Sequence, residues 1–266
     1  MTQTETLPLL NKHIMVTRPA HQAEQLISLL KQAGASVYCQ PLIEIVPLAH
    51  PVEAIECVRD FGNTDIAVFI SQNAVTHGVN LINEHGALPT SVKLATVGLG
   101  SAKLLEHLTH RHVEITPQGQ YNSEQLLKHP LMQDVATKII TIFRGIGGRN
   151  LLADTLRKRG ATVHYAEVYQ RHCPEIDLHK LQRLWADKPI DAICITSGEG
   201  LQNLAKTISL TDCPTQLRED ILNCQLVIVN QRLEALANKN GFYKKPMLSE
   251  NVSDQAIVDV IIKQMP

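Results

Sequence analysis

Residues 144–149, Arg-Gly-Ile-Gly-Gly-Arg, combine two features that an anion-binding site needs, a flexible backbone and positive charge. They follow an apolar, β-rich run at 139–143 and precede a helical pattern. Glycines at such a strand-to-helix turn let the backbone approach a ligand, and the first amides of the helix lack internal partners. The turn therefore predicts an anion contact at Arg144, Gly147 and Gly148.

Two other interpretations of this turn stay open. The glycines also fit a purely structural role, the close packing of a strand against a helix. A nucleotide site is the other interpretation, because Glu167 stands roughly where a ribose-binding acid would fall. The dinucleotide fingerprint, however, needs a glycine at position 150, where Asn150 stands.

Composition limits the class of ligand and the compartment. The chain has 266 residues, 44% of them apolar, and a formal net charge of −1, so it has the length of two domains and no overall field for nucleic acid or an anionic membrane. No apolar run reaches the length of a membrane span, and the first residues do not resemble a signal peptide. We expect a cytoplasmic protein that binds neither nucleic acid nor membranes.

The cysteines and histidines do not form a metal-site pattern. The six cysteines include no Cys-x-x-Cys pair, and several lie in apolar runs, so we expect reduced, structural thiols. His110 and His112, the closest histidine pair, suit a surface better than a metal site. We therefore expect no metal.

The chain repeats one plan. Arg18 plus 126 is Arg144, and Gly34 plus 126 is Gly160, and in both copies a strand, an arginine, a helix and a closing glycine follow one another. Further segments that recur are 65–71 as 191–197, 93–98 as 225–230 and 122–126 as 252–256. The repeat predicts an α/β fold with two similar doubly wound domains and parallel sheets.

Ligands of such sheets lie beyond the carboxyl ends of the strands, where the matched polar residues fall. Two domains that face each other would line one cleft with them. Ser71 and Ser197 also suit helix N-caps, a role that is compatible with free amides beside them. The residues that we predict to bind the ligand are Arg18, Ser71, Gln72, Asn73, Ser101, Arg144, Gly147, Gly148, Ser197 and Gly198.

Seven short motifs are spread over nearly the whole length of the chain. They are Val-Thr-Arg-Pro at 16–19, Pro-Leu-Ile-Glu at 41–44, Ser-Gln-Asn-Ala-Val at 71–75, Arg-Gly-x-Gly-Gly-Arg at 144–149, Gly-Ala-x-Val at 160–163, Val-Tyr-Gln-Arg at 168–171 and Thr-Ser-Gly at 196–198. In their order and spacing the chain resembles the uroporphyrinogen-III synthase family. The resemblance implies interleaved domains, one of residues 1–36 plus 173–266 and the other of residues 37–172. It also implies a two-stranded linker, for which the extended runs 34–44 and 160–170 are our candidates.

The family resemblance implies a reaction as well. Hydroxymethylbilane, which carries eight carboxylates, would lose water and close to uroporphyrinogen III with its last ring, ring D, inverted, on the route to haem and sirohaem. The enzyme would need no cofactor, act as a monomer and receive its substrate from hydroxymethylbilane synthase. Because the bilane also closes unaided to the type I isomer, the enzyme must fold its substrate as well as accelerate loss of the hydroxyl.

Tyr169 matches the family tyrosine that assists departure of the hydroxyl, and Ser101 stands where many members have threonine. A phenol is a weak acid near neutral pH, so polarisation through a hydrogen bond fits better than complete proton transfer. The alternative for Tyr169 is a structural hydrogen bond. The chain departs from the family at 230–234, where Arg232 is either a carboxylate contact or a surface residue.

A rival hypothesis assigns no chemistry to the chain. Duplicated α/β domains also serve as two-domain binding or regulatory proteins that close on a small anion. An enzyme would convert hydroxymethylbilane to product, whereas a binding protein would not.

Overall fold

The computed structural model describes residues 7–265 and divides into two compact units. The first contains the described residues up to Glu44 together with those from His172 onward, and the second is Ile45–Arg171. Each unit has its own five-stranded sheet and its own apolar core. No helix among residues 7–265 is both long enough and apolar enough to span a bilayer.

In chain order the strands are β1 (His13–Val16), β2 (Ser36–Cys39), β3 (Glu44–Pro47), β4 (Ile66–Phe69), β5 (Lys93–Thr96), β6 (Ile139–Gly145), β7 (Thr162–His172), β8 (Ala192–Ile195), β9 (Gln225–Ile228) and β10 (Met247–Leu248). The α-helices are α1 (Ala20–Gln32), α2 (Val52–Arg59), α3 (Gln72–His85), α4 (Leu99–Thr109), α5 (Ser123–Leu126), α6 (Pro130–Gln133), α7 (Leu151–Lys158), α8 (Leu178–Asp187), α9 (Gly198–Ile208), α10 (Thr215–Leu222), α11 (Gln231–Lys239) and α12 (Asp254–Gln264).

The first sheet has the strand order β10-β9-β8-β1-β2, and neighbouring strands are parallel. The N-terminal strand β1 therefore lies between β2 and the strands of the C-terminal half. The residues of β8 are all buried, as expected for a parallel strand that helices cover on both faces. This arrangement confirms the predicted α/β class with a parallel sheet.

The second sheet has the order β3-β7-β6-β4-β5, in which β7-β6, β6-β4 and β4-β5 are parallel pairs. Beyond β5, Ile115 forms a parallel bridge with Ala95. The order Ile115-β5-β4-β6-β7 thus reproduces β10-β9-β8-β1-β2. The two sheets share one winding plan, as the sequence repeat predicts.

The glycines that close the repeated helices have equivalent conformations. Gly34 follows α1 with φ of 100°, and Gly160 follows α7 with φ of 89°. A left-handed residue after a helix satisfies its last carbonyls, and glycine adopts that conformation without steric cost. The spacing of 126 residues therefore marks equivalent helix ends.

The border between the units differs from the predicted one after residue 36. Strand β2 pairs with β1 along its whole length, so residues 37–44 belong with the first unit, which extends to Glu44. The run 160–170, predicted as a connection, lies largely within β7 of the second sheet. The chain passes between the units at the ends of the predicted runs.

Candidate functional site

Three helices of the second unit begin at the carboxyl edge of its sheet. Helix α3 follows β4, α4 follows β5, and α7 follows the glycine turn after β6. The start of α3 is capped by Ser71, whose Oγ accepts a hydrogen bond from the Ala74 amide at 3.1 Å. The starts of α4, at Gly98, and of α7, at Asn150, have no side-chain cap. Amides at these two starts are available to an anion.

The glycine turn between β6 and α7 needs its glycines. Gly147 has φ of 77° and Gly148 has φ of 95°, a region that residues with a Cβ rarely adopt. A Cβ built on Gly147 would meet no atom within 4 Å, and both residues are exposed. The turn thus presents its backbone to open space, as an anion contact requires.

Arg144, predicted as an anion contact, is 4% exposed and lies inside the turn. Its Nε donates to the Gly145 carbonyl at 3.2 Å, and its Nη1 donates to Asn150 Oδ1 at 3.3 Å. The guanidinium stacks over the Tyr165 ring at 4.5 Å, and Glu167 lies 3.8 Å from Nε. These contacts tie the end of β6 to the start of α7. Glu167, the candidate ribose-binding acid, is a partner of the arginine.

Tyr169 and Ser71, predicted separately, lie together at this edge. The Tyr169 hydroxyl is 3.2 Å from Ser71 Oγ, and the residue is only 5% exposed. Gly145 is the register partner of Tyr169, and a Cβ on Gly145 would lie 2.6 Å from Tyr169 Cζ. The centroid of the His77 ring lies 5.8 Å from that of the Tyr169 ring. The ring of Tyr169 is therefore held tightly, with its hydroxyl at the start of α3.

Other predicted residues of the second unit line the same helix starts. Gln72 is exposed at the first position of α3, close to Gly100 of α4. Asn73 is half-buried in α3, and Ser101 is 6% exposed in the first turn of α4. These positions leave Gln72 the most accessible of the three side chains.

Exposed apolar side chains also occur beside these helix starts, and the sequence analysis missed them. Leu99 is 47% exposed, Ile146 is 48% exposed and Leu151 is 39% exposed. They occupy the first residue of α4, the glycine turn and the first residue of α7. Apolar area next to free amides suits a ligand that has both flat rings and carboxylates.

At the corresponding edge of the first unit, Arg18 follows β1. Its guanidinium pairs with the Asp254 carboxylate at the start of α12 and donates to Thr196 Oγ1 at 3.4 Å. Its side chain is 15% exposed. Arg18 therefore links three segments of the first unit.

Three helices at this edge of the first unit, α9, α11 and α12, have side-chain caps, whereas α1, which follows Pro19, has none. Ser197 accepts from the Gly200 amide at 3.0 Å, immediately before Gly198, the first residue of α9. Asn230 caps α11 through the Leu233 amide, and Arg232 is exposed. The capping role that the sequence offered for Ser71 and Ser197 is present in both units. The starts of α7 and of its repeat counterpart α1 are both uncapped, so the uncapped start of α4 is what distinguishes the second unit from the first.

Within residues 7–265, no group of three or more His, Cys, Asp or Glu side chains is arranged to hold a metal ion. All six cysteines are free thiols.

Comparison with known proteins gives one family. A family model described as "Uroporphyrinogen-III synthase HemD" matches residues 24–258. The chain is 31% identical over 247 residues to the uroporphyrinogen-III synthase of Escherichia coli K12, covering 92% of this chain and 98% of the relative. It is 30% identical over 192 residues to that of Proteus mirabilis, covering 72% and 96%. The chain belongs to the uroporphyrinogen-III synthase family.

Solved structures of the family share the fold. A mutant uroporphyrinogen III synthase of Thermus thermophilus superimposes with a TM-score of 0.62 at 15% identity, over 95% of this chain and 98% of that one. The uroporphyrinogen-III synthetase of Helicobacter pylori 26695 gives 0.62 at 13% identity, over 95% and 99%. The family resemblance found in the sequence motifs is confirmed.

Proposed function

We propose that this chain is a uroporphyrinogen-III synthase that converts hydroxymethylbilane to uroporphyrinogen III with loss of water and inversion of ring D. Membership of the family supports the reaction. The observation that carries the location of the site is the pairing of Tyr169 with Ser71 at a sheet edge where two helix starts lack caps.

We infer that the uncapped helix starts and the glycine turn bind substrate carboxylates. The bilane carries eight of them, and the amides of Gly147, Gly148 and the start of α4 are suitable donors. The exposed side chains of Leu99, Ile146 and Leu151 would contact the pyrrole rings. In this arrangement Arg144 acts as a positioning residue, because its guanidinium holds the turn from inside.

Tyr169 is the proposed catalytic residue. The pyrrole nitrogen supplies electron density as the carbon–oxygen bond of the hydroxymethyl group breaks, and the hydroxyl takes up a proton from solvent and leaves as water. The resulting azafulvenium-type cation forms a spiro intermediate that reopens and recloses, and the reclosed ring loses a proton to solvent. A hydrogen bond from the phenol to the departing oxygen stabilises the charge that develops there.

We propose further contacts to the substrate at the edges of both sheets. Arg18, Gln72, Asn73, Ser101, Ser197 and Gly198 are proposed substrate contacts, whereas Ser71, predicted with them, lies against the Tyr169 hydroxyl. Because the bilane closes spontaneously to the type I isomer, we also propose direct hand-over from hydroxymethylbilane synthase, with a monomeric chain acting in the cytoplasm.

A coupled assay tests the activity. Hydroxymethylbilane generated enzymatically is incubated with and without the chain, the products are oxidised, and the type I and type III isomers are separated. We expect the type III isomer only when the chain is present. Type I alone in both reactions, with a folded chain, would refute the proposed enzyme and favour the non-catalytic binding protein.

A further inference from the structure

We propose that Ser71 is a positioning residue that fixes the direction of the Tyr169 hydroxyl. Ser71 donates its hydroxyl hydrogen to the Tyr169 oxygen, which leaves the hydrogen of Tyr169 free for the departing hydroxyl of the substrate. This inference rests on the proposed function and assigns Ser71 a role different from a substrate contact.

The contacts of Ser71 favour this direction of donation. A serine hydroxyl has one hydrogen to donate and two lone pairs to accept with. One lone pair of Ser71 accepts the Ala74 amide at 3.1 Å, at the positive end of the 14-residue helix α3. Accepting that bond polarises the serine O–H and strengthens it as a donor. The Tyr169 oxygen, 3.2 Å away, is within reach of that donor.

The packing of Tyr169 makes hydroxyl direction the remaining variable. The residue is 5% exposed, and there is no room for even a methyl group between its ring and the Gly145 backbone. The His77 ring is a further neighbour, with the two ring centroids 5.8 Å apart. The ring is held, but the phenol hydrogen can still rotate about the carbon–oxygen bond. The Ser71 donor excludes the orientation in which that hydrogen points toward the serine.

This role separates Ser71 from a residue that binds a carboxylate. If Tyr169 donated to Ser71, its hydrogen would be engaged and the leaving hydroxyl would gain nothing. Loss of the Ser71 donor should therefore lower kcat with little change in KM, whereas loss of a substrate contact should raise KM. The loss should also depend on the presence of the Tyr169 hydroxyl.

A double-mutant cycle tests the dependence. Single-turnover rates and KM are measured for wild type, Ser71→Ala, Tyr169→Phe and the double variant. We expect Ser71→Ala to lower kcat about three- to tenfold, the factor associated with one neutral hydrogen bond. In the Tyr169→Phe background the same change should have no further effect on kcat. Ser71→Thr, which keeps both the cap and the donor, should restore the rate.

Two further variants separate the positioning role from helix capping. Ser71→Asp keeps an acceptor for the Ala74 amide but, when ionised, has no hydrogen to donate, so it should fold and still show the low kcat. Asp177→Ala removes the cap of α8, which accepts from the Lys180 amide at 2.8 Å, and should retain wild-type kcat. If Ser71→Ala does not fold, these two variants still test the positioning role.

The outcomes of the cycle are distinct. A Ser71→Ala effect of equal size in the wild-type and Tyr169→Phe backgrounds would overturn the proposal, as would an effect confined to KM or a wild-type kcat in Ser71→Asp. Wild type that forms no type III isomer would instead refute the proposed function itself.

Discussion

At the residue scale, the position of Tyr169 depends on the absence of a side chain at Gly145. The two residues are register partners on β6 and β7, and a Cβ on Gly145 would lie 2.6 Å from Tyr169 Cζ. Such a separation is shorter than any real packing contact, so a larger residue at 145 forces the ring to move. The hydrogen bond to Ser71 would move with it.

We predict that Gly145→Ala reduces both stability and activity. Overpacking of this kind costs about 1–3 kcal/mol, and displacement of the phenol should lower the single-turnover rate of type III formation. Thermal unfolding and isomer analysis measure the two effects. Gly62→Ala is the matched control, since a Cβ there would meet no atom within 4 Å and should change neither quantity. A Gly145→Ala protein with the wild-type melting temperature and rate would contradict this packing argument.

The sequence identified Tyr169 and Ser71 but not their contact, because they are 98 residues apart and only the fold brings them together. For Arg144, the charge and position in the sequence suggested a ligand contact. Its burial depends on the Tyr165 ring and on Asn150, and no sequence pattern indicates these contacts. The uncapped helix starts were partly predictable, because Gly98 has no side chain to cap with.

At the element scale, the start of α4 differs from its repeat counterpart. Asn230 caps α11, but Gly98 leaves the first amides of α4 free of side-chain partners. Gly98 has φ of −141° and ψ of 150°, extended values that any residue adopts, and a Cβ there would meet no atom within 4 Å. The glycine is thus not required by the backbone.

We predict that Gly98→Asn stabilises the chain but weakens substrate binding. The new cap should add a few tenths of a kcal/mol to the free energy of unfolding, while it occupies amides that we assign to a carboxylate and so raises KM. Urea unfolding and steady-state kinetics measure the two quantities. Unchanged KM in a folded Gly98→Asn protein would argue against an anion contact at this helix start.

Asp65 joins the beginnings of β4 and β6 in the second sheet. Its carboxylate accepts from Lys138 Nζ at 2.9 Å and from the Ile139 amide at 2.8 Å. The Lys138 side chain, followed by the Ile139 amide, lowers the pKa of Asp65 below its usual value. The charged form is therefore favoured by folding.

Because the pKa of Asp65 is lowered by folding, part of the free energy of unfolding should depend on pH in the acid range. A carboxyl whose folded pKa lies below the unfolded value of about 3.9 contributes stability above that value and loses it as the pH falls through the folded pKa. Asp65→Asn should thus be less stable than wild type at pH 7, with the difference shrinking at lower pH. Urea unfolding across this range tests it, with Lys138→Met expected to show the same trend. A difference that is independent of pH would contradict the assignment.

At the scale of the whole molecule, the sequence repeat was sufficient to predict two α/β units with parallel sheets. The offset of 126 residues aligns strand ends, helices and closing glycines that the fold places equivalently. The boundary between the units was harder to predict from the sequence. It depends on the pairing of β2 with β1, a contact that local patterns near residue 36 do not specify.

The division into units predicts which fragment folds. The second unit is continuous, Ile45–Arg171, and the buried residues of its two apolar clusters lie within that range. We expect residues 45–171 to give a folded circular dichroism spectrum and a dispersed amide spectrum. Residues 1–44, which lack the β8 partner of β1, should be unfolded and serve as the control. A fragment 45–171 without cooperative unfolding would contradict the separate-core argument.

The single-turnover yield of type III isomer from Tyr169→Phe tests the central claim most directly. The substitution keeps the ring that packs against Gly145 and deletes only the hydroxyl that faces Ser71. Hydrogen-bond polarisation predicts a rate loss of at most about a hundredfold, the lower end for a positioned proton donor, and a lower type III fraction as spontaneous closure to type I competes. A correctly folded Tyr169→Phe protein with the wild-type single-turnover rate and type III yield would contradict the account, since the hydroxyl would then have no part in the chemistry.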